Sequence, residues 1–249
     1  MNSSAKKVLV ISEGKSEAQL LKRLFEKFEL PGSEVVRLNA NLCKLYKEYE
    51  SYGCDYSDLD VTAVLRSSKQ VSHADKEKLR GKSADDFSDI FLVFDLDPHT
   101  GDFNPDSVQK LMSHFRDSSD FGKLYINYPM VESFYHVPPE VLEKGNIYGQ
   151  PIHFVVRDLT GYKERVSQEG FRYSTGHTQE NYRCVICRHA QIVKQLTEVP
   201  FECTFKLKAQ LDLLKVQLSE IQKNKAGTVV NTFCLLLPEL YPSKCPLTE

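Results

Sequence analysis

Three acidic residues of this 249-residue chain stand at positions where chemistry is commonly assembled. Glu13 follows the apolar run Val8-Leu9-Val10-Ile11, and Asp95 and Asp97 follow a second run, Ile90-Phe91-Leu92-Val93-Phe94. Short uninterrupted apolar runs rich in β-branched residues suit strands covered on both faces, as in a parallel sheet. In such sheets ligands collect beyond the C-terminal ends of the strands. The pattern therefore predicts one crevice shared by Glu13, Asp95 and Asp97, although the first lies far from the other two in sequence. Asp95 and Asp97 alternate along the chain, and a regular strand would aim both to one side. Carboxylates held that close repel each other unless a proton or a cation lies between them. Magnesium, or manganese in its place, is the expected ion, because it takes oxygen ligands and is held by one or two carboxylates together with substrate phosphates. An ion so placed activates water and stabilises charge on a phosphoryl group. Lys15 adds a point charge toward phosphate, and His99 and His136 are further candidates for substrate contact. Taken singly, an acidic residue after a strand is a common helix cap or turn former. The joint arrangement is what points to a site.

The elements that must position these residues follow from periodicity. After Val8–Ile11, the residues Ser12-Glu13-Gly14-Lys15 read as a turn. Ser16 is then suited to cap a helix carrying Leu20, Leu21, Leu24, Phe25 and Phe28 at helical spacing, ended by Pro31-Gly32. Residues 34–38 read as a strand, 41–52 as a short helix, and 55–85 as a polar, loop-rich stretch with one helical segment. Pro98 stops the strand that leads into Asp95. Pro105 and Asp106 open a helix with Val108, Leu111, Met112 and Phe115, and residues 123–128 form another strand. Beyond about residue 150 helices are predicted around 161–168, 178–197 and 203–223, before an apolar stretch at 229–240. The expected fold class is α/β: a mostly parallel sheet flanked by helices over residues 1–145, with a helical extension over 146–249 packed on that core.

Net charge is −2, from 32 basic and 34 acidic residues. A strongly basic chain would point to nucleic acid directly. Here any such contact must use metal ions or a local patch, for which Arg157, Lys163 and Arg165 are candidates, with a solvated helix face as the simpler reading. Tyr125 and Tyr128 are candidates for base stacking or for plain packing. No export core and no stretch of membrane-spanning length is visible, and seven cysteines in such a chain read as reduced thiols, so the expectation is a cytoplasmic protein. Cys184-x-x-Cys187, near His177 and His189, offers one ligand pair where a zinc site needs about four ligands, and on a helix the two thiols would face the core.

Gly14-Lys15-Ser16 matches the tail of a phosphate-binding P-loop, but Leu9 occupies the place of the required first glycine, which excludes that loop. Asp95-Leu96-Asp97 with Thr100 resembles the nucleophile motif of haloacid-dehalogenase-like phosphatases, with the threonine three rather than two residues after the second aspartate. A closer resemblance is to the Toprim domain. Val8-Leu9-Val10-Ile11-Ser12-Glu13-Gly14 looks like its first motif, and Phe91-Leu92-Val93-Phe94-Asp95-Leu96-Asp97 looks like its Asp-x-Asp motif. Asn127-Tyr128-Pro129-Met130-Val131-Glu132 looks like the Asn-Pro-x-x-Glu segment of OLD-like and RloB-like Toprim proteins of bacterial anti-phage systems, with Tyr128 inserted. The resemblance covers roughly residues 6–140. It implies a metal-dependent endonuclease in which Glu13 is general base or metal ligand, Asp95 and Asp97 bind magnesium, and Glu132 lies near the site. It also implies nucleic acid as substrate and a separate ATPase as partner, since this chain has no P-loop. The alternatives are a Toprim-fold module that binds a partner without catalysis, and the phosphatase.

Overall fold

The computed structural model describes residues 7–30, 34–53 and 60–248. The chain forms two compact units. The first comprises residues 1–94 and 104–125, the second residues 95–103 and 126–249. The boundary expected at 145/146 falls inside the second unit.

The first unit is built on β1 (Val8–Ser12), α1 (Lys15–Lys27), β2 (Glu34–Arg37), α2 (Leu42–Glu50), α3 (Val61–Ser67), α4 (His73–Lys78), β3 (Asp89–Asp95), α5 (Pro105–His114), β4 (Arg116–Asp117) and β5 (Gly122–Asn127). Among the described residues its strands form one five-stranded sheet in the order β2-β1-β3-β5-β4. β1 runs parallel to β2 and to β3, and β4 is antiparallel to β5. The fold is thus α/β with a mostly parallel sheet flanked by helices. All five residues of β1 and all six of β5 are buried, as is β3 from Ile90 onward, and the apolar runs of β1 and β3 require such cover on both faces. α1 buries Leu20, Leu21, Leu24 and Phe25 on one stripe, each worth about 1.5–3 kcal/mol of transfer free energy.

Local chemistry sets the helix ends. α1 begins two residues earlier than a Ser16 cap would place it. Gly14 is its N-cap, and its N–H donates to the Glu17 carboxylate at 2.8 Å, while Ser16 lies exposed in the first turn. Asn104 caps α5 by accepting from the N–H groups of Asp106 and Ser107, with Pro105 at the first helical position. Two short helices, α3 and α4, replace the one helical segment expected within 55–85. The proposed Pro31-Gly32 stop lies outside the described residues.

The second unit carries a 3-10 turn (Val131–Tyr135), α6 (Pro139–Lys144), β6 (His153–Val155), α7 (Tyr162–Glu169), α8 (Gln179–Thr197), α9 (Leu207–Asn224), β7 (Ala226–Thr228) and α10 (Leu236–Leu240). It is not purely helical: β6 and β7 pair antiparallel. Within it the fully buried Arg188 of α8 donates to the carbonyls of Ile147 (2.9 Å), Gly149 (3.1 Å) and Gln150 (2.7 Å), tying down the loop that follows α6. Asp95 and Asn127, the last residues of β3 and β5, are counted with this unit.

Candidate metal centre

In the parallel pairing of β1 with β3, Ser12 lies opposite Val93. The Glu13 N–H extends that ladder by donating to the Val93 carbonyl at 3.0 Å. The carbonyl of Glu13 in turn accepts from the Asn39 N–H at 2.9 Å, which fixes the residue on both sides of its peptide. Asp95, the last residue of β3, is buried, and one of its carboxylate oxygens accepts from the Asn127 side-chain amide at 3.1 Å. The amide oxygen of Asn127 accepts from the Phe233 N–H at 3.4 Å, so the amide can present only its NH₂ group to Asp95.

Asp97 arrives by another route. The strand ends at Asp95, and Asp97 adopts a left-handed backbone with φ 46°. Its N–H donates to the Pro129 carbonyl at 3.2 Å, and its own carbonyl accepts from the N–H and hydroxyl of Thr100 at 3.1 and 3.0 Å. Asp tolerates this conformation better than most residues. Strand alternation, which the sequence invited as the reason for convergence, is therefore not the cause; a tight turn is.

Together these constraints bring one carboxylate oxygen from each of Glu13, Asp95 and Asp97 within 4.8 Å of one another. Ligand oxygens opposite each other on a magnesium ion lie about 4.2 Å apart, so little closing is needed. Among the described residues this is the one set of three metal-ligating side chains so placed. Burial pushes the Asp97 carboxyl above its usual range, His99 opposes that rise, and the charge of Glu132 adds to it. Glu132 pairs through Oε1 with Lys163 at 3.0 Å, while its Oε2 is buried without a hydrogen-bond partner. A bare buried carboxylate oxygen costs about 1–3 kcal/mol. An all-oxygen donor set with surplus negative charge and an orphaned oxygen fits a hard divalent cation.

The remaining candidates are placed differently. Lys15 is exposed in the first turn of α1, and His99 is exposed with its charge felt by Asp97. His136 is not available to touch substrate. It is 1% exposed, its Nδ1 is 3.0 Å from the Tyr162 hydroxyl and its Nε2 is 3.0 Å from the Glu169 carboxylate. Arg165 donates to Glu169 and to the His153 carbonyl, so it is engaged within the unit. Tyr125 and Tyr128 are fully buried, which removes them as stacking surfaces for bases. Cys187 is buried, Cys184 is half-buried, and burial pushes both thiols up. His189 is buried and engaged with backbone groups of Phe134 and Asn231.

Sequence reasoning did not single out Asn127 as the group that orients Asp95, although it ends the strand beside β3 and the rule that found Asp95 also marks it. Tyr162 and Glu169 were not found, and no local pattern marks them: their partner, His136, lies 26 and 33 residues away. Comparison with protein-family models, with curated proteins and with solved structures gave no match.

Proposed function

We propose that this chain is a magnesium- or manganese-dependent endonuclease of the Toprim type that hydrolyses phosphodiester bonds in nucleic acid. The observation that carries the reading is the meeting of Glu13, Asp95 and Asp97 beyond the ends of β1 and β3, and the resemblance of the flanking segments to the Toprim motifs supports it. Glu13, Asp95 and Asp97 would hold the ion, with Asp95 aimed by Asn127. When bound, the ion supplies polarisation of the scissile phosphate and a more acidic water. Glu13, its backbone pinned at the strand end, is in this reading a ligand of the ion or the general base that takes the proton of the attacking water. Lys15 and His99, both exposed beside the acidic trio in sequence, would bind phosphate oxygens. A separate ATPase partner and a role in anti-phage defence complete the proposal on the strength of the OLD-like and RloB-like resemblance.

The test is hydrolysis of single- and double-stranded DNA and of RNA with Mg²⁺ or Mn²⁺, for the wild type, Glu13→Ala and Asp95→Ala. Both substitutions are expected to lower the rate about a hundredfold or more, the scale of losing a group that stabilises transition-state charge. Inactivity of the wild type with either metal, with and without proteins co-purified from its host, would favour a partner-binding module instead. Turnover of a small phosphomonoester that needs Asp95 and not Glu13 would favour the phosphatase.

A further inference from the structure

We propose that Lys163 and a divalent cation compete for Glu132, so that metal binding releases the Lys163 ammonium to a phosphate of the substrate. The inference rests on the acidic trio being a metal centre and adds to it a residue that couples metal to anion.

Lys163 is the second residue of α7. Its side chain is 67% exposed, yet it reaches Glu132, whose side chain is only 19% exposed. The pair is therefore lopsided: a solvated cation covers one oxygen of a mostly buried carboxylate, and the other oxygen stays bare. A lysine ammonium is a compact charge on a flexible stem and moves without its backbone. A pair with so exposed a partner is held weakly. Magnesium-like cations bind carboxylates with a higher charge at a shorter distance, and prefer to share several of them. Glu132 stands beside the trio: the Asp97 N–H donates to the Pro129 carbonyl at 3.2 Å, and the 3-10 turn bearing Glu132 begins two residues after Pro129. In the metal-free chain the ammonium thus stands in for part of the charge a divalent ion would supply.

The backbone that carries Lys163 is anchored independently of its side chain. Its neighbour Tyr162 is buried and its hydroxyl meets His136 Nδ1. Arg165 holds Glu169 ionised, so the Glu169 carboxylate accepts from His136 Nε2–H and leaves Nδ1 to accept the Tyr162 O–H. Burial keeps that imidazole neutral. His136 directly follows the 3-10 turn that carries Glu132, so α7 and that turn stay joined whether or not Lys163 remains on the carboxylate. A phosphodiester, negatively charged and drawn to the metal, is the anion that would receive the released ammonium.

Calorimetric titration of the full chain with MnCl₂ tests this with the wild type, Lys163→Met, Lys163→Arg, Glu132→Gln and the double variant Glu132→Gln/Lys163→Met. Lys163→Met is expected to bind Mn²⁺ about fivefold tighter, the size of a partly exposed ion pair, and Lys163→Arg to resemble the wild type. In the Glu132→Gln background the methionine substitution is expected to lose most of its effect, leaving only the weaker repulsion between the ammonium and an ion at Asp97. Inorganic phosphate, titrated next, is expected to bind the wild type only with Mn²⁺ present, and about fivefold more weakly in Lys163→Met. The inference is overturned if Lys163→Met binds Mn²⁺ no tighter, if the gain is undiminished without Glu132, or if phosphate binds equally without metal. A folded wild type that takes up no Mn²⁺ would overturn the metal centre and this inference together. Uptake that depends on Asp95 but ignores Lys163 would overturn this inference alone.

Discussion

Asp95 ends a strand and Asp97 sits in a left-handed turn, so the two carboxylates converge through a backbone bend. Asn127 makes the arrangement specific, because its amide joins Asp95 to the Phe233 N–H. Asn127→Ala leaves both groups without this partner in a buried setting, at about 1–3 kcal/mol. The expected outcome is a lower melting temperature together with Mn²⁺ affinity reduced about tenfold, as for other groups that orient a ligand. Asp97 gives a second expectation. Because burial raises its carboxyl, the fold favours the protonated form. The associated stability is complete below the ordinary carboxyl value and is lost as pH rises through the raised one. Metal-free Asp97→Asn should therefore resist urea better than the wild type at pH 7, with the advantage fading in acid and reversing under saturating Mn²⁺. The identity of all three acids was legible in sequence, because strand ends are marked by apolar runs. The means by which Asp97 arrives was not, since a left-handed residue leaves no periodic trace.

At the level of elements, the long runs and strong stripes of β1, α1, β3 and α5 were legible for the same physical reason: each buries enough surface to impose its own period. β6 and β7, three residues each, impose none and were not foreseen. The junction of α7 with the 3-10 turn was equally hidden, because it depends on residues remote in sequence. Gly170, just after α7, shows how closely the two segments approach: a methyl group there would run into the backbone oxygen of Tyr135. Gly170→Ala is expected to cost about 1–3 kcal/mol in urea unfolding and to weaken Mn²⁺ binding by disturbing the turn that bears Glu132. On α8, Arg188→Lys keeps the charge but cannot span three carbonyls. A drop in melting temperature, with faster hydrogen exchange in residues 145–151, is the expected result.

Across the whole chain, buried histidines set the acid limit. Burial drives the His189 imidazole down to about 3, with Nδ1 accepting from the Asn231 N–H at 3.2 Å. The His136 imidazole is depressed as well, chiefly by burial. A depressed imidazole contributes stability that is present above the unfolded value near 6.5 and lost as pH falls. His189 alone should steepen the fall by about 1.4 kcal/mol per pH unit below that point. Urea midpoints measured from pH 7 to pH 5 should show this slope, and His189→Gln should flatten it whatever its effect at pH 7. Among the described residues no helix is long and apolar enough to cross a membrane.

The division of the chain has a practical bearing on how it can be dissected. Residues 95–103 are assigned to one unit while the stretches on either side of them in sequence belong to the other. No single cut of the gene isolates either half, and a fragment ending at residue 145 would take the Asp95–Asp97 loop away from most of the unit to which it is assigned. Excision of either unit therefore requires joining two separate pieces of the chain.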